Sequence, residues 1–120
     1  MGIRTGAEYR ERLRDGRTVY ANGERVKDVT THPPFQRTIG TIAALYDLQH
    51  DPAYQSLLTY PSPKTGHPVS LSFLITETPD DITRRVRSEE FRAEATFGLM
   101  GRLPDFMNAL VTKSARPAPR

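Results

Sequence analysis

Apolar residues step along this chain in helical and alternating patterns, broken by turns rich in glycine and proline. Thr5-Gly6-Ala7-Glu8 opens the first pattern. The Thr5 hydroxyl is placed to accept from the Glu8 amide while the Glu8 carboxylate reaches back to the Thr5 amide, which is a capping box. Tyr9 and Leu13 follow one turn apart on the side to be buried, and Gly16 suits the left-handed residue that ends the helix. Asn22-Gly23 is the strongest hairpin signal in the chain, because a type I′ turn needs positive φ at both central positions. Pairing outward from it sets Val19 opposite Val26 and Tyr20 opposite Arg25 in a hairpin over about 17–28. Two strands alone are marginal in water, so the hairpin is expected to pack on a helix.

Pro33 and Pro34 open a second helix. Phe35, Ile39, Ile42 and Tyr46 then step by four, three and four along one stripe, widened by Ala43, Leu45 and Leu48. Gly40 interrupts it and is expected to mark close packing against a neighbour. Asp51-Pro52 reads as the cap and first residue of a short helical segment carrying Tyr54, Leu57 and Leu58. Pro61 to Pro68 reads as a loop. Val69, Leu71, Phe73 and Ile75 alternate with Ser70, Ser72 and Leu74, which predicts a strand over about 69–75. Thr78-Pro79-Asp80-Asp81 supplies a cap, a proline at the first helical position and two acids at the positive dipole end. The helix it opens is expected to run to about Phe97 with Ile82, Val86, Ala93 and Phe97 inward. The reading is mainly α, an α+β domain over 1–111 followed by a disordered basic tail over 112–120.

Composition narrows the function classes. The net charge of +3 and pI near 9.5 point toward nucleic acid, but Lys113, Arg116 and Arg120 lie in the tail. The remaining body carries 14 basic and 14 acidic residues, alternating in sign as in Arg84-Arg85-Val86-Arg87-Ser88-Glu89-Glu90. That is a solvated helix face rather than a phosphate track, so no nucleic-acid partner is expected. The chain has no cysteine, which excludes disulfides, zinc-thiolate sites and thiol catalysis. No apolar run is long enough to span a membrane, and the N-terminus lacks a signal-peptide core. A cytoplasmic protein is expected.

Candidate chemistry is sparse. His32, His50 and His67 share no metal-ligand spacing; His32 before Pro33 reads as a helix cap, and no metal site is expected. Adjacent Asp80 and Asp81 diverge on a helix and are no acid/base pair. Arg102, beside Gly101 in a mainly apolar stretch, wants a partner. Asp105 three residues on would serve structurally; a phenolate or carboxylate ligand would serve functionally. The local pattern leaves both open.

Several blocks in fixed order carry a family resemblance: Gly6-Ala7-Glu8-Tyr9, Leu13-Arg14-Asp15-Gly16-Arg17, Gly23 to Pro33, Leu45-Tyr46-Asp47-Leu48-Gln49-His50, and Gly98 to Asn108 with Leu99-Met100-Gly101-Arg102-Leu103-Pro104-Asp105-Phe106 at its centre. Together they resemble the N-terminal domain of the 4-hydroxyphenylacetate 3-hydroxylase family, FADH2-dependent aromatic monooxygenases. The resemblance implies the helical N-terminal domain of an acyl-CoA-dehydrogenase-like architecture. It also implies reduced FAD supplied by a separate flavin reductase and a phenolic substrate hydroxylated ortho to its hydroxyl; a homo-oligomer is an expectation apart from the resemblance. The resemblance assigns substrate contacts to Arg102 and to Phe106, where the family carries a tyrosine. Phe106 cannot donate a hydrogen bond, which turns the expectation from 4-hydroxyphenylacetate itself toward another phenol or aromatic acid. No complete catalytic set falls within the chain. The flavin-enclosing domains of the family have no counterpart in it, so a truncated form, inactive and without FAD by itself, is expected. The alternative is a stand-alone interaction module that docks on a full-length relative or self-associates through Tyr46, Leu57, Leu58, Phe97 and Leu110.

Overall fold

The computed structural model describes residues 2–99, 108 and 110–112. It is mainly helical with short strands, and it divides into two compact units, Arg4–Asp51 and Met1–Ile3 with Pro52–Arg120.

In the first unit, helix α1 (Gly6–Arg12) starts at the Thr5–Glu8 capping box that the sequence predicts. The Thr5 amide and hydroxyl hold the Glu8 carboxyl below its usual range. The helix ends at Leu13 in right-handed geometry. Gly16, at φ +80°, therefore does not cap it but turns the chain beyond it toward β1 (Val19–Ala21). Strands β1 and β2 (Glu24–Val26) pair in the expected register, Val19 with Val26 and Tyr20 with Arg25. Asn22 and Gly23 both take positive φ, and Val26 is buried while Tyr20 faces solvent.

Helix α2 (Pro33–Leu48) buries Ile39 and Ala43 and half-buries Phe35, Ile42, Leu45, Tyr46 and Leu48, as its periodicity requires. Its contact with α1 is set by Gly6, where a Cβ would lie 2.5 Å from the Ala43 carbonyl oxygen. The Gly6 amide donates to Asp47 Oδ1 at 2.7 Å, so a carboxylate from the last turn of α2 satisfies an open donor at the positive end of α1. Tyr9 and Tyr46 stack with centroids 4.9 Å apart, and burial raises the Tyr9 phenol pKa. The close packing expected at Gly40 is absent: a Cβ there would meet nothing nearer than an Arg10 guanidinium nitrogen at 3.8 Å. His32 stands at the N-cap position of α2, but its side chain makes no capping bond and lies instead against the Phe35 ring, centroids 5.4 Å apart. The entry is stiffened from Asp28. Its carboxylate accepts from the Thr30 amide and hydroxyl at 2.8 and 2.6 Å, and its carbonyl from the His32 amide. Arg14 of the α1 exit adds bonds to Asp28, Glu11 and Thr30.

In the second unit the short helix α3 (Gln55–Leu58) is capped at Tyr54, not at Asp51-Pro52 as the sequence suggests. It leads into β3 (Thr59–Pro61), which the sequence reading misses. β3 pairs antiparallel with β4 (Pro68–Ser70), Thr59 opposite Ser70 and Tyr60 opposite Val69. Pro61 opposite Pro68 ends the ladder, since neither has an N–H to continue it. The predicted strand over 69–75 is thus only its first part. Ser70 then caps a 3-10 turn, Leu71–Phe73, which puts Leu71 and Ser72 inside and leaves Phe73 and Ile75 exposed.

Helix α4 (Pro79–Ala95) opens with the predicted proline and a capping box. The Thr78 hydroxyl accepts from the Asp81 amide, and the Asp81 carboxylate accepts from the Thr78 and Glu77 amides. Those two amides hold the Asp81 carboxyl below its usual range. The inward face differs from the expected one: Ser88, Arg92 and Thr96 are buried, whereas Ile82, Val86 and Phe97 are exposed. Tyr54 and Phe91 meet with centroids 4.7 Å apart, tying α3 to α4. Thr112, assigned to the tail from sequence, is helical and bonds the Asn108 carbonyl; 113–120 lie outside the described residues.

The two glycines separate close approach from mere permissiveness. Gly6→Ala is expected to lower stability by about 1–3 kcal/mol, because the added methyl has backbone in its way. Gly40→Ala is expected to raise it by about 0.5–1 kcal/mol through helix propensity. Urea titrations of both variants check the opposite signs.

Candidate functional site

The site residues assigned from sequence, Arg102 and Phe106, lie outside the described residues. Asn108, on their downstream side, joins a buried polar cluster of the second unit. Arg92 is its cation, only 8% exposed. Its guanidinium bonds Glu89 Oε1 at 3.2 Å and Ser70 Oγ at 3.2 Å. Ser70 Oγ lies 2.9 Å from Ser72 Oγ, where either hydroxyl can donate, and Ser72 Oγ accepts from Asn108 Nδ2 at 2.9 Å. The result is a hydrogen-bonded chain from α4, through the turn after β4, to the residues following 100–107.

Local sequence explains how these groups meet. The 3-10 turn that Ser70 caps shortens the spacing, so Ser70 and Ser72, which an extended strand would place on one face farther apart, hydrogen-bond each other. Arg92 projects from the inward face of α4 one turn beyond Ser88, whose hydroxyl is buried with no hydrogen-bond partner among the described residues. At the end of α4, Thr96 Oγ1 bonds the Arg92 carbonyl at 2.9 Å. Phe97 and Gly98 then take left-handed φ of 54° and 74°, and the Gly98 amide returns to the Ala93 carbonyl at 2.8 Å. This closes the helix and sends Phe97 and Leu99 outward, 91% and 83% exposed.

Sequence reasoning singled out Arg102 but missed Arg92. The signal was there: Ser88, Arg92 and Thr96 repeat every four residues, and the expected apolar stripe on the same helix breaks at Arg87-Ser88-Glu89-Glu90. The first unit holds a different feature, an open apolar cleft of about 280 Å³ lined by Tyr9, Leu13, Val19, Phe35 and Ile39, with Arg17 at its rim. Arg17 is engaged with Asp15, whose carboxyl it holds down at about 2. Among the described residues no three His, Asp or Glu side chains gather to hold a metal ion, and no helix is long and apolar enough to cross a membrane.

Comparison with known proteins bears on the whole chain. Residues 5–118 match the family model described as 4-hydroxyphenylacetate 3-hydroxylase N terminal. The 4-hydroxyphenylacetate 3-monooxygenase oxygenase component of Thermus thermophilus is 46% identical over 116 residues, covering 96% of this chain and 24% of the relative. The oxygenase component of a Rhodococcus 4-nitrophenol 2-monooxygenase is 39% identical over 107 residues, covering 85% of this chain and 20% of the relative. A crystal structure of a 4-hydroxyphenylacetate 3-monooxygenase oxygenase component complexed with FAD superposes with a TM-score of 0.84 at 46% identity, over 91% of this chain and 23% of that one. The chain thus spans about a quarter of the length of the relatives it matches.

A pyrophosphate such as that of FAD commonly takes open backbone donors at a helix start. The α1 start is filled by Asp47 and Thr5, and the α4 start by Thr78 and Asp81. The α2 start has two prolines without N–H groups, and its next amides are bonded to His32.

Two outcomes are expected. Ser88→Ala removes a buried hydroxyl that bonds nothing among the described residues, and should leave stability unchanged or raise it by about 1 kcal/mol, read by chemical denaturation. Asp28 is held below the ordinary carboxylate value first by the Thr30 hydroxyl and amide, then by Arg14. Its contribution is present above the unfolded value near pH 4 and is lost as pH falls through the lower folded value. An acid titration of melting temperature should therefore be shallower below about pH 4 in Asp28→Asn than in the parent chain.

Proposed function

Because the chain belongs to the 4-hydroxyphenylacetate 3-hydroxylase N-terminal family, we propose that it supplies the substrate-facing front part of the oxygenase component of a two-component, flavin-dependent aromatic hydroxylase working in the cytoplasm. The observation that carries this reading is the 46% identity with the Thermus thermophilus oxygenase component along 96% of the chain. FAD, reduced by a separate flavin reductase, supplies the oxygen-activating chemistry when bound. The polypeptide that holds it is, in this reading, the part of the relatives that the chain does not span. What these residues contribute is recognition: Arg102 pairs with the anionic or phenolic oxygen of the substrate, and Phe106 packs against its ring. A phenylalanine at 106 removes a hydroxyl donor and turns the reading from 4-hydroxyphenylacetate toward another phenol or aromatic acid. The likeness to a 4-nitrophenol 2-monooxygenase is in keeping with that reading.

Exposed apolar side chains favour a second reading of how the chain works with others. Phe97 and Leu99 are almost fully exposed, and Ile82, Val86 and Leu110 about half. A surface of that kind suits packing against further oxygenase polypeptide, or another copy of the chain, better than permanent contact with water. Leu58, one of the residues assigned to such a face from sequence, is buried and takes no part.

A chimera in which this chain replaces the matching N-terminal part of the Thermus thermophilus oxygenase tests the function. Supplied with FAD and a flavin reductase, it should convert 4-nitrophenol or 4-hydroxyphenylacetate to the catechol. Arg102→Ala should lower kcat/KM about a hundredfold with the melting temperature unchanged. The 120-residue chain alone should give no product. A chimera that folds and binds FAD yet hydroxylates neither phenol would contradict the proposal, as would full activity in Arg102→Ala.

A further inference from the structure

We propose that the cleft between α3, the β3–β4 hairpin and α4 binds a small carboxylate with a flat apolar body, whose carboxylate pairs with Arg84. The inference goes beyond the functional reading above and does not rest on it. The cleft has a volume of about 390 Å³, and small-ligand sites run from roughly 300 to 1,000 Å³. Ser56, Tyr60, Pro61, Gly66, Pro68 and Arg84 line it. Two proline rings and a phenol ring thus accompany one cation, with no acid among the described lining residues.

Arg84 is the observation that carries the proposal. Three arginines of α4 are half-buried or deeper, Arg84, Arg85 and Arg92. The Arg85 guanidinium donates to the Leu74 carbonyl, and that of Arg92 to Glu89 and Ser70. Arg84 makes no hydrogen bond or ion pair among the described residues. The acids one turn before it leave it free: Asp80 forms no ion pair with it, and the Asp81 carboxylate accepts from the Glu77 and Thr78 amides. A guanidinium withdrawn from water without an acceptor is matched by a carboxylate, whose two oxygens fit its planar fork.

The walls are set without help from Arg84. Thr59 Oγ1 donates to the Gln55 carbonyl at 2.6 Å, which fixes the turn from α3 into β3. Tyr60 Oη donates to the Phe73 carbonyl at 3.2 Å, and burial raises its pKa, so the phenol stays neutral. Pro61 stands opposite Pro68 at the end of the ladder. The loop beyond them closes on itself: the Ser62 amide bonds the His67 carbonyl at 2.9 Å, and the Gly66 amide bonds the Ser62 carbonyl at 2.8 Å. A cleft whose walls hold their shape when empty loses little entropy on binding. Its ring surfaces suit a flat apolar body better than a bare ion.

Benzoate is the probe, titrated into the 120-residue chain and followed by backbone amide chemical shifts. The shifts should centre on Ser56, Tyr60, Gly66 and Arg84, with a Kd on the order of 1 mM. Acetate carries the carboxylate without the ring, and benzyl alcohol the ring without the charge. Each should bind about tenfold more weakly or worse. Arg84→Gln keeps helix propensity and breaks no bond among the described residues, so it should melt with the parent and weaken benzoate about tenfold. Ser56→Glu places a competing carboxylate at the cleft and should weaken benzoate to the same degree. Arg25→Gln removes the same charge from the other unit and should leave the Kd within about twofold.

Shifts that do not saturate, or that centre elsewhere, overturn the proposal. So does a Kd within twofold of the parent in both Arg84→Gln and Ser56→Glu. Acetate binding as tightly as benzoate overturns the flat apolar body, and benzyl alcohol binding as tightly overturns the carboxylate. If one of the two cleft variants fails to fold, the other decides. No outcome depends on hydroxylation, so the functional reading stands or falls separately.

Discussion

A guanidinium that is nine-tenths buried has to be surrounded by acceptors, and the second unit is organised around meeting that demand. Arg92 takes a carboxylate from its own helix and a serine hydroxyl from the turn after β4. Leaving such a cation unsatisfied would cost several kcal/mol, so the turn at Leu71–Phe73, the register of β3 on β4 and the inward face of α4 are tied to one another. Among the described residues of this unit, Leu58 and Leu71 are the buried apolar side chains beside it. Polar satisfaction makes the geometry specific: a hydroxyl moved by an ångström breaks a bond that an apolar contact would merely loosen.

The first unit solves a different problem with a single missing methyl. Gly6 lets α1 approach the backbone of α2 near Ala43, and that approach brings the Gly6 amide within reach of Asp47. Asp47 would be poorly placed at the C-terminal end of its own helix, where the dipole is negative. It is balanced by the positive end of α1. Tyr9 on Tyr46 and the Arg14–Asp28–Thr30 bonds then fix the rest of α1 and the hairpin exit.

Elements determined by neighbours in sequence were legible before the structure. The Thr5–Glu8 box, the Asn22-Gly23 turn with its register, the stripe of α2 and the proline-opened start of α4 all depend on residues within a few positions of one another. What stayed hidden depends on distant ones. Gly40 and Gly6 look alike in sequence, and only the partner helix shows which is in close contact. β3 is three residues long and exists because β4 pairs with it. The inward face of α4 does not follow hydrophobicity: Arg92 and Thr96 are buried with their hydrogen bonds, and the small Ser88 lies buried on the same face. Arg102 and Phe106 come from the family resemblance and lie outside the described residues, and no local pattern pointed to Ser72 or to its bond with Asn108.

The account turns on the bond between Ser72 and Asn108 acting as one member of a connected polar chain. A double-mutant cycle on the 120-residue chain measures it directly, with stability determined for the parent, Ser72→Ala, Asn108→Ala and the double variant. Two residues that touch should show a coupling energy of about 1 kcal/mol, the double variant losing little more than either single one. Additive losses would mean that the two side chains act independently, and would contradict the account.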